Sequence, residues 1–477
     1  MYEYIDENAE LFKGISHSIW EYAELSLKEF KSAKLYIDKL NELGFDVETG
    51  YAGIKTPFSG KYVSGSGKPV IGILGEFDAL SGLSQKACST VKKELVPNGT
   101  GHGCGHNMLG CASFAAACAV KKYLEDTGKD GTVIFYGCPG EEGGAAKAFM
   151  AREGIWKSLD CALSWHPGNQ TEIMTGTNNS CTQVLYKFKG VAAHAAGNPE
   201  QGRSALDAVE LMNVGVNYLR EHMKDECRIH YAMVDGGGVS PNVVQPHASV
   251  LYMVRAIKVK DVVELQKRVD NCAKGAAIMT DTTFDRIFVD GTANSIPNTT
   301  LEKVLYKNME EIPLPEYTEE ELKFAKELDE TCIKSDEPVG YGAKYNREIR
   351  MKVKELMKTS SDGLYDFLLP FYSGDEFAPG STDVGDVSWL TPTAQFTATT
   401  FTKNSAGHSW QNVSCGGSSI GDKGMLYAAK VLAGSTVDIF SDTSILDKAK
   451  EEYITRLDGD EYVCPIEKDA VPYVIEV

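Results

Sequence analysis

Near-continuous apolar runs alternate with amphipathic stretches through the first third of the chain. "PVIGILGEFDAL" (69–80), "GTVIFYGCPGEEGG" (131–144) and "DCALSWHPG" (160–168) each carry an apolar run that breaks into small, polar or helix-starting residues. That pattern predicts strands covered on both faces, as in parallel or mixed α/β sheets. Between them, "GCASFAAACAVKKYLE" (110–125) and "AAKAFMAREGIWKSL" (145–159) read as helices. A late strand, "TAQFTATTF" (393–401), precedes "AGHSWQ" (406–411). Reactive-looking residues therefore collect just beyond strand ends, where open α/β sheets place their ligands.

From about residue 181 to 295 the rhythm changes. "TQVLYKFKG" reads as a strand, "SALDAVELMNVGVNYLREHM" as a helix, and "CRIHYAMV" and "ASVLYMVRA" as strands. "KDVVELQKRVDNCAKGAAIM" then reads as a helix and "TTFDRIFVDG" as a strand. Strand-helix-strand-strand-helix-strand is the ferredoxin-like split pattern. The expected architecture is thus α/β: a discontinuous domain of residues 1–180 and 296–477, with a mixed sheet flanked by helices, interrupted by an inserted α+β domain at 181–295. The charge-rich segment 317–362 reads as surface helices, and the acidic tail after about 446 as a solvated end.

Composition narrows the functional classes. At 477 residues the chain exceeds one ordinary core, which agrees with two domains. Its 48 Lys+Arg against 67 Asp+Glu leave a net charge of −19, which argues against nucleic acid and anionic membrane partners. No apolar stretch is long enough to span a bilayer, and "MYEYIDENAELFKGISHSIW" lacks a basic-then-apolar signal pattern. The 12 cysteines follow no repeated spacing, as expected of a cytoplasmic protein with free thiols. Cys111, Cys118, Cys161, Cys227 and Cys272 sit in apolar or amphipathic runs and read as packing residues. An anionic small substrate would need a locally positive site, which a metal centre could supply.

"GHGCGHNMLG" (101–110) alternates His102, Cys104 and His106 with glycine. In an extended segment all three would share one face, and glycine would let the backbone approach whatever they hold. Zinc, a redox partner and a covalent substrate each suit such a face. Two further carboxylates, Glu141 and Glu142, are adjacent in "GCPGEEGG". If extended, they point to opposite sides, so one could bind a metal while the other holds a water beside it. Two solvated acids opening a helix at Ala145 are the plainer alternative. His166 in "SWHPG" and His408 in "AGHSWQ" each read more readily as structural than as ligating when taken alone. Together, however, Cys104, His106, Glu142, His166 and His408 are the residue types that bind zinc or manganese. All five fall in expected post-strand loops. No CxxC motif supplies Cys104 with a resolving thiol, which weakens the redox alternative.

The ordered motifs "GHGCGHN", "GCPGEEGG", "WHP", "KGVAAHAA", "GGVSPNVVQ" and "STDVGDVSW" resemble the aminoacylase/carboxypeptidase family of dinuclear metallohydrolases. Within it they are similar to the branch of indole-acetyl-amino-acid and p-aminobenzoyl-glutamate hydrolases. The likeness runs over nearly the whole chain, to "YVCPIEKDAVP". It implies that Cys104, His106, Glu142, His166 and His408 hold two divalent ions, zinc or manganese, with Glu141 as general base. A thiolate at Cys104 would bridge the ions in place of the more usual carboxylate. The inserted domain would mediate dimerisation and cover the substrate. His194 would reach into the partner subunit's site and stabilise the oxyanion, while Asn242 and Arg255 would hold the substrate carboxylate.

The loop 380–386 would line the pocket, and His102 would only support its own loop. Where many relatives carry a ligand histidine two residues before an aspartate, this chain has Glu76-Phe77-Asp78. Glu76 therefore does not inherit that histidine's role, and Asp78 is an orienting group or plainly structural. The implied reaction is metal-dependent hydrolysis of the amide bond of N-acyl amino acids, with p-aminobenzoyl-glutamate going to p-aminobenzoate and glutamate. Alternatives are a dipeptidase or aminoacylase acting on another acyl-amino acid, and a non-catalytic partner subunit of a hetero-oligomeric hydrolase. The implied assembly is a homodimer, or a hetero-oligomer with a related subunit.

Overall fold

A computed structural model describes residues 1–475. The chain divides into two compact units, the first made of 1–176, 296–377 and 387–461. Its strands are Asp46–Tyr51 (β1), Ile54–Ser64 (β2), Val70–Glu76 (β3), Gly131–Cys138 (β4), Cys161–Gly168 (β5) and Glu172–Met174 (β6), with Thr393–Thr399 following much later. The second unit holds Ser180–Lys189 (β7), Arg228–Asp235 (β8), His247–Ala256 (β9) and Thr283–Thr292 (β10); the late strand of the first unit is β11.

In the first unit seven strands form one mixed sheet in the order β1-β2-β4-β3-β5-β11-β6. The four central strands β4, β3, β5 and β11 run parallel, while β1, β2 and β6 pair antiparallel at the margins. All eight residues of β4 are buried, as expected of a parallel strand covered on both faces. The helix His106–Thr127 is buried along most of its length, and it packs on β3 and on the helix Ser419–Ser441. Its Ala-rich and Cys-rich surface permits that close approach; Phe12, Tyr36, Phe114 and Phe135 fill the core around it. The carboxyl ends of the central strands therefore converge on one edge, and the first-unit candidates from the sequence lie there or in the loops that follow, except His106, which opens the helix His106–Thr127.

Two expected elements differ. The stretch 145–159 is not one helix but Ala146–Arg152 followed by a 3-10 turn at Ile155–Ser158. Gly154 between them has φ +79, which ends the helix and turns the chain so that Trp156 can bury its indole. Nor is the tail after 446 a solvated end. Ser444–Leu457 forms a helix that buries Ala449, whose carbonyl accepts from Asn298 Nδ2 at 2.8 Å. The Glu452 carboxylate accepts the Thr299 and Thr300 N–H groups at 2.7 and 2.9 Å, satisfying orphan donors at the start of the helix Thr299–Glu311.

The second unit is built on a four-stranded antiparallel sheet in the order β10-β7-β9-β8, with the helices Ala205–Leu219 and Val259–Thr280 packed on it. Chain order and sheet order together are those of the ferredoxin-like split pattern. Besides 177–295, this unit contains 378–386 and the described residues from Tyr462 onward. Asn179 N–H donates to the Gly380 carbonyl at 2.9 Å, which anchors the first of these segments. The second is anchored by Arg286, whose Nη1 and Nη2 donate to the Glu467 carboxylate at 3.0 and 2.7 Å. Among the described residues, no helix is long and apolar enough to cross a membrane.

Candidate metal centre

The glycine-alternating segment is not extended. Residues 102–105 form a bend, and His106 already begins a helix. His102 therefore leaves the shared face: its Nε2 meets the Ile19 carbonyl at 3.0 Å, and burial with the charge of nearby His106 pushes its imidazole down to about 4. Cys104 and His106 stay together. Gly105 sits at φ +82, and a Cβ there would meet Phe401 Cζ at 2.8 Å and Pro167 Cβ at 2.9 Å. A Cβ on Gly103 would meet Leu83 Cδ1 at 2.5 Å and approach the backbone of His408. These glycines let the segment pass close to the strand ends that carry the other candidates.

Three groups of donor atoms, each mutually within 4.8 Å, form here: Cys104 with His106 and His166, Cys104 with Glu142 and His408, and His106 with Glu76 and Glu141. Cys104 belongs to the first two. His166 Nε2 lies 3.4 Å from Cys104 Sγ, and its Nδ1 donates to the Pro167 carbonyl at 2.7 Å, which leaves the Nε2 lone pair facing the thiol. His106 is set in the same way. Its Nδ1 donates to Asp78 Oδ1 at 2.9 Å, so in the neutral ring the lone pair is on the buried Nε2. A histidine whose far nitrogen donates to a carboxylate or carbonyl is oriented as metal-binding histidines are.

Asp78 ties the centre together. Its Oδ2 accepts from the Ser26 hydroxyl at 2.7 Å and from the Glu142 N–H at 2.9 Å. Burial raises its carboxyl, but these hydrogen bonds and His106 outweigh burial and hold it down to about 2. Asp78 is thus an orienting group for His106 and for the loop that carries Glu142.

Glu141 and Glu142 lie in the turn 141–144, not in extended chain, and the turn is closed by Ala145 N–H donating to the Gly140 carbonyl at 2.7 Å. The turn, rather than strand alternation, divides them between two groups. Glu142 Oε1 comes within 3.3 Å of His408 Nε2, and Glu141 Oε2 within 4.0 Å of His106 Nε2. His408 holds a left-handed backbone at φ +58, strain of the kind found at functional sites. The Glu142 carboxylate beside it holds its imidazole above the ordinary value.

The residues fit a pair of divalent ions. His106 Nε2 and Glu142 Oε1 are buried, with Glu76 Oε2 and His408 Nε2 respectively at 3.3 Å, and neither contact has good hydrogen-bond geometry, which leaves both atoms open to a cation. Desolvation pushes the Cys104 thiol above its ordinary value. Its thiolate therefore needs strong local positive charge.

Two residues of the centre stand outside the expected ligand set: Glu76, to which the sequence gives no ligand's role, and Lys147, which it does not single out. Glu76 is buried with Oε2 at 3.3 Å from His106 Nε2, and Oε1 at 2.8 Å from the ammonium of fully buried Lys147. The only sequence signal for Lys147 is a lone charge inside the otherwise apolar "AAKAFMA".

His194, Asn242 and Arg255 belong to the second unit. His194 is exposed, and its Nδ1 accepts the N–H groups of Ala196 and Gly197 at 3.2 and 3.0 Å, so its proton sits on Nε2. Asn242 lies against this turn, its carbonyl accepting Ala195 N–H at 3.0 Å. Arg255, half-buried on β9, donates from Nη1 to the Ser381 hydroxyl at 3.0 Å, next to the 380–386 loop.

Residues 175–279 match the peptidase dimerisation domain. The chain is 42% identical to one of the subunits of p-aminobenzoyl-glutamate hydrolase from Escherichia coli (strain K12), over 99% of this chain and 98% of that protein. The crystal structure of an aminobenzoyl-glutamate utilization protein from Klebsiella pneumoniae is similar with a TM-score of 0.60 at 15% identity, covering 91% of this chain and 97% of that one. A dinuclear metal-binding peptidase of the M20 family from Bacillus subtilis is similar with a TM-score of 0.53 at 14% identity, covering 91% and 99%.

Proposed function

The chain belongs to the aminoacylase/carboxypeptidase family of dinuclear metallopeptidases, in its amidohydrolase branch, and from that premise we propose that it hydrolyses the amide bond of N-acyl amino acids. p-Aminobenzoyl-glutamate, which gives p-aminobenzoate and glutamate, is the substrate named by its 42%-identical relative. The observation that carries this reading is the pair of ligand groups sharing Cys104, with Glu141 beside His106.

Cys104, His106 and His166 would hold one ion, and Cys104, Glu142 and His408 the other. A sulfur ligand selects against magnesium and calcium, which leaves zinc or manganese. When bound, such ions lower the pKa of a water and polarise an amide carbonyl. Glu141 takes the water's proton as the oxygen attacks the carbonyl carbon, then returns it to the leaving nitrogen. Asp78 keeps His106 in the tautomer that presents Nε2. Asn242 and Arg255 hold the carboxylate of the amino-acid half, where arginine's planar fork suits the partner.

Treatment with a strong chelator should abolish hydrolysis of a small N-acyl-amino-acid panel, and zinc or manganese should restore it. Metal content is read alongside rate. Full activity in thoroughly metal-free protein would sink the proposal.

His194 offers its Nε2–H to the oxyanion that develops in the partner subunit. The Escherichia coli relative is one subunit of its hydrolase, so the partner is either a second copy or a related chain. Mixing His194→Ala chains with Glu141→Gln chains decides: hybrid homodimers with one intact site should regain part of the activity that both parents lack. No recovery after verified subunit exchange would remove His194 from a partner's site. Among the described residues the twelve cysteines form no disulfide, which supports a cytoplasmic setting.

A further inference from the structure

Within the first unit a cavity of about 410 Å³ opens close to the metal centre. Its walls come from the stretch 169–172 just after β5, the stretch 333–344 of the charge-rich segment, and 403–406 just before His408. The first and third are tied together, since Asn169 Nδ2 donates to the Lys403 carbonyl at 2.8 Å, and the Gly168 carbonyl accepts Thr400 N–H at 2.8 Å. Asn169 is three residues from His166 and Ala406 two from His408, so the Cα separations cannot exceed roughly 11 and 7 Å. The cavity is thus walled in part by the two loops that lead from or to the ligand candidates His166 and His408.

The lining is aromatic and amide-rich. Tyr341 and Tyr365 supply rings, Pro338 and Val339 apolar surface, and Gln170 and Asn404 carboxamides. No arginine lines it; its charged residues are Glu172, Glu337, Lys344 and Lys403, and Lys403 donates from Nζ to the Ser360 hydroxyl at 2.8 Å and lies 5.1 Å from the centre of the Tyr365 ring. The cavity thus lacks an arginine's planar pair of donors, which suits a substrate carboxylate, and it offers two tyrosine rings and the apolar surface of Pro338 and Val339 among polar and charged groups. Its shape is fixed from below by Glu172, which accepts the Tyr341 N–H at 2.8 Å and also a hydrogen bond from Gln170. Pockets of roughly 300–1,000 Å³ lined in this way hold small organic ligands, so one substituted ring fits.

We propose that this cavity receives the aromatic acyl half of the substrate, and that the 333–344 stretch is the wall that selects it. The inference rests on the acyl-amino-acid hydrolase reading above, and it gives a role to a segment that the dinuclear chemistry does not use. Ser335, exposed on that wall, can take a large side chain without disturbing the core. Ser335→Trp should raise KM for p-aminobenzoyl-glutamate by roughly 10–200-fold, the range that pocket changes of this kind reach, and leave acetyl-glutamate within about twofold.

Tyr341→Leu, which removes a wall ring, serves as the second variant and should shift acyl preference the same way. Binding of p-aminobenzamide, which has no carboxylate to engage a metal, is titrated in parallel and should weaken in both variants. Equal losses on aroyl and acetyl substrates, or a preference that follows the amino-acid half, overturn the subsite. If the wild-type chain hydrolyses no acyl amino acid yet binds p-aminobenzamide and loses that binding in the variants, the activity reading fails and the aryl site stands. If hydrolysis proceeds and neither substitution moves acyl preference, the aryl site falls and the activity stands.

Discussion

Glu141→Gln is expected to lower kcat by roughly 10²- to 10⁴-fold, the usual loss when a general base is removed, while both metal ions are retained. Glutamine keeps the size of the side chain and cannot take a proton. Glu141 stands 4.0 Å from His106 Nε2, near the ligands but outside the two groups that share Cys104. Glu142→Gln should behave differently. Its Oε1 is a buried atom 3.3 Å from His408 Nε2, and an uncharged amide there is a poor substitute for a carboxylate ligand. About one ion per chain should be lost, and activity with it. Metal stoichiometry and kcat measured side by side on the two variants separate the roles. Metal loss from Glu141→Gln, together with retention in Glu142→Gln, would reverse the assignment.

The framework of this site was legible because buried parallel strands write near-continuous apolar runs. Those runs located β3, β4 and β5 and placed the reactive residues after their ends. Reading residue geometry from assumed extended chain failed, for a local reason. Gly105 at φ +82 bends the 101–106 segment, and the turn at 141–144 replaces the strand from which opposite-facing carboxylates were inferred. In both places the candidate residues come together through turns that a side-chain period of two does not describe.

The buried partners were harder still. Lys147 and Glu76 are 71 positions apart, so their pairing exists only once β3 and the helix Ala146–Arg152 are packed together. The tail helix Ser444–Leu457 was missed because its charged surface resembles a solvated end, whereas its role lies in backbone capping by Glu452 and the burial of Ala449.

Lys147→Met is expected to destabilise the first unit by about 3–5 kcal/mol, the loss typical when one partner of a buried ion pair is removed. The Lys147 ammonium and the Glu76 carboxylate meet at 2.8 Å, with side-chain exposures of 0% and 3%. Burial raises the Glu76 carboxyl, and the charges of Lys147 and His106 bring it back below its ordinary value. Methionine fills much of the lysine's volume but leaves a buried carboxylate beside His106 without its ammonium. Glu76→Leu alone should cost a similar amount, because it removes the carboxylate that pairs with the buried ammonium. The double variant Lys147→Met/Glu76→Leu should recover most of the loss, since an apolar pair carries no charge that folding must desolvate. Urea unfolding of the four proteins, in chelated and in metal-replete form, measures the coupling. A Lys147→Met midpoint unchanged from wild type would show that the pair carries no net stability. Additive losses in the double variant would show that the two residues act through other partners.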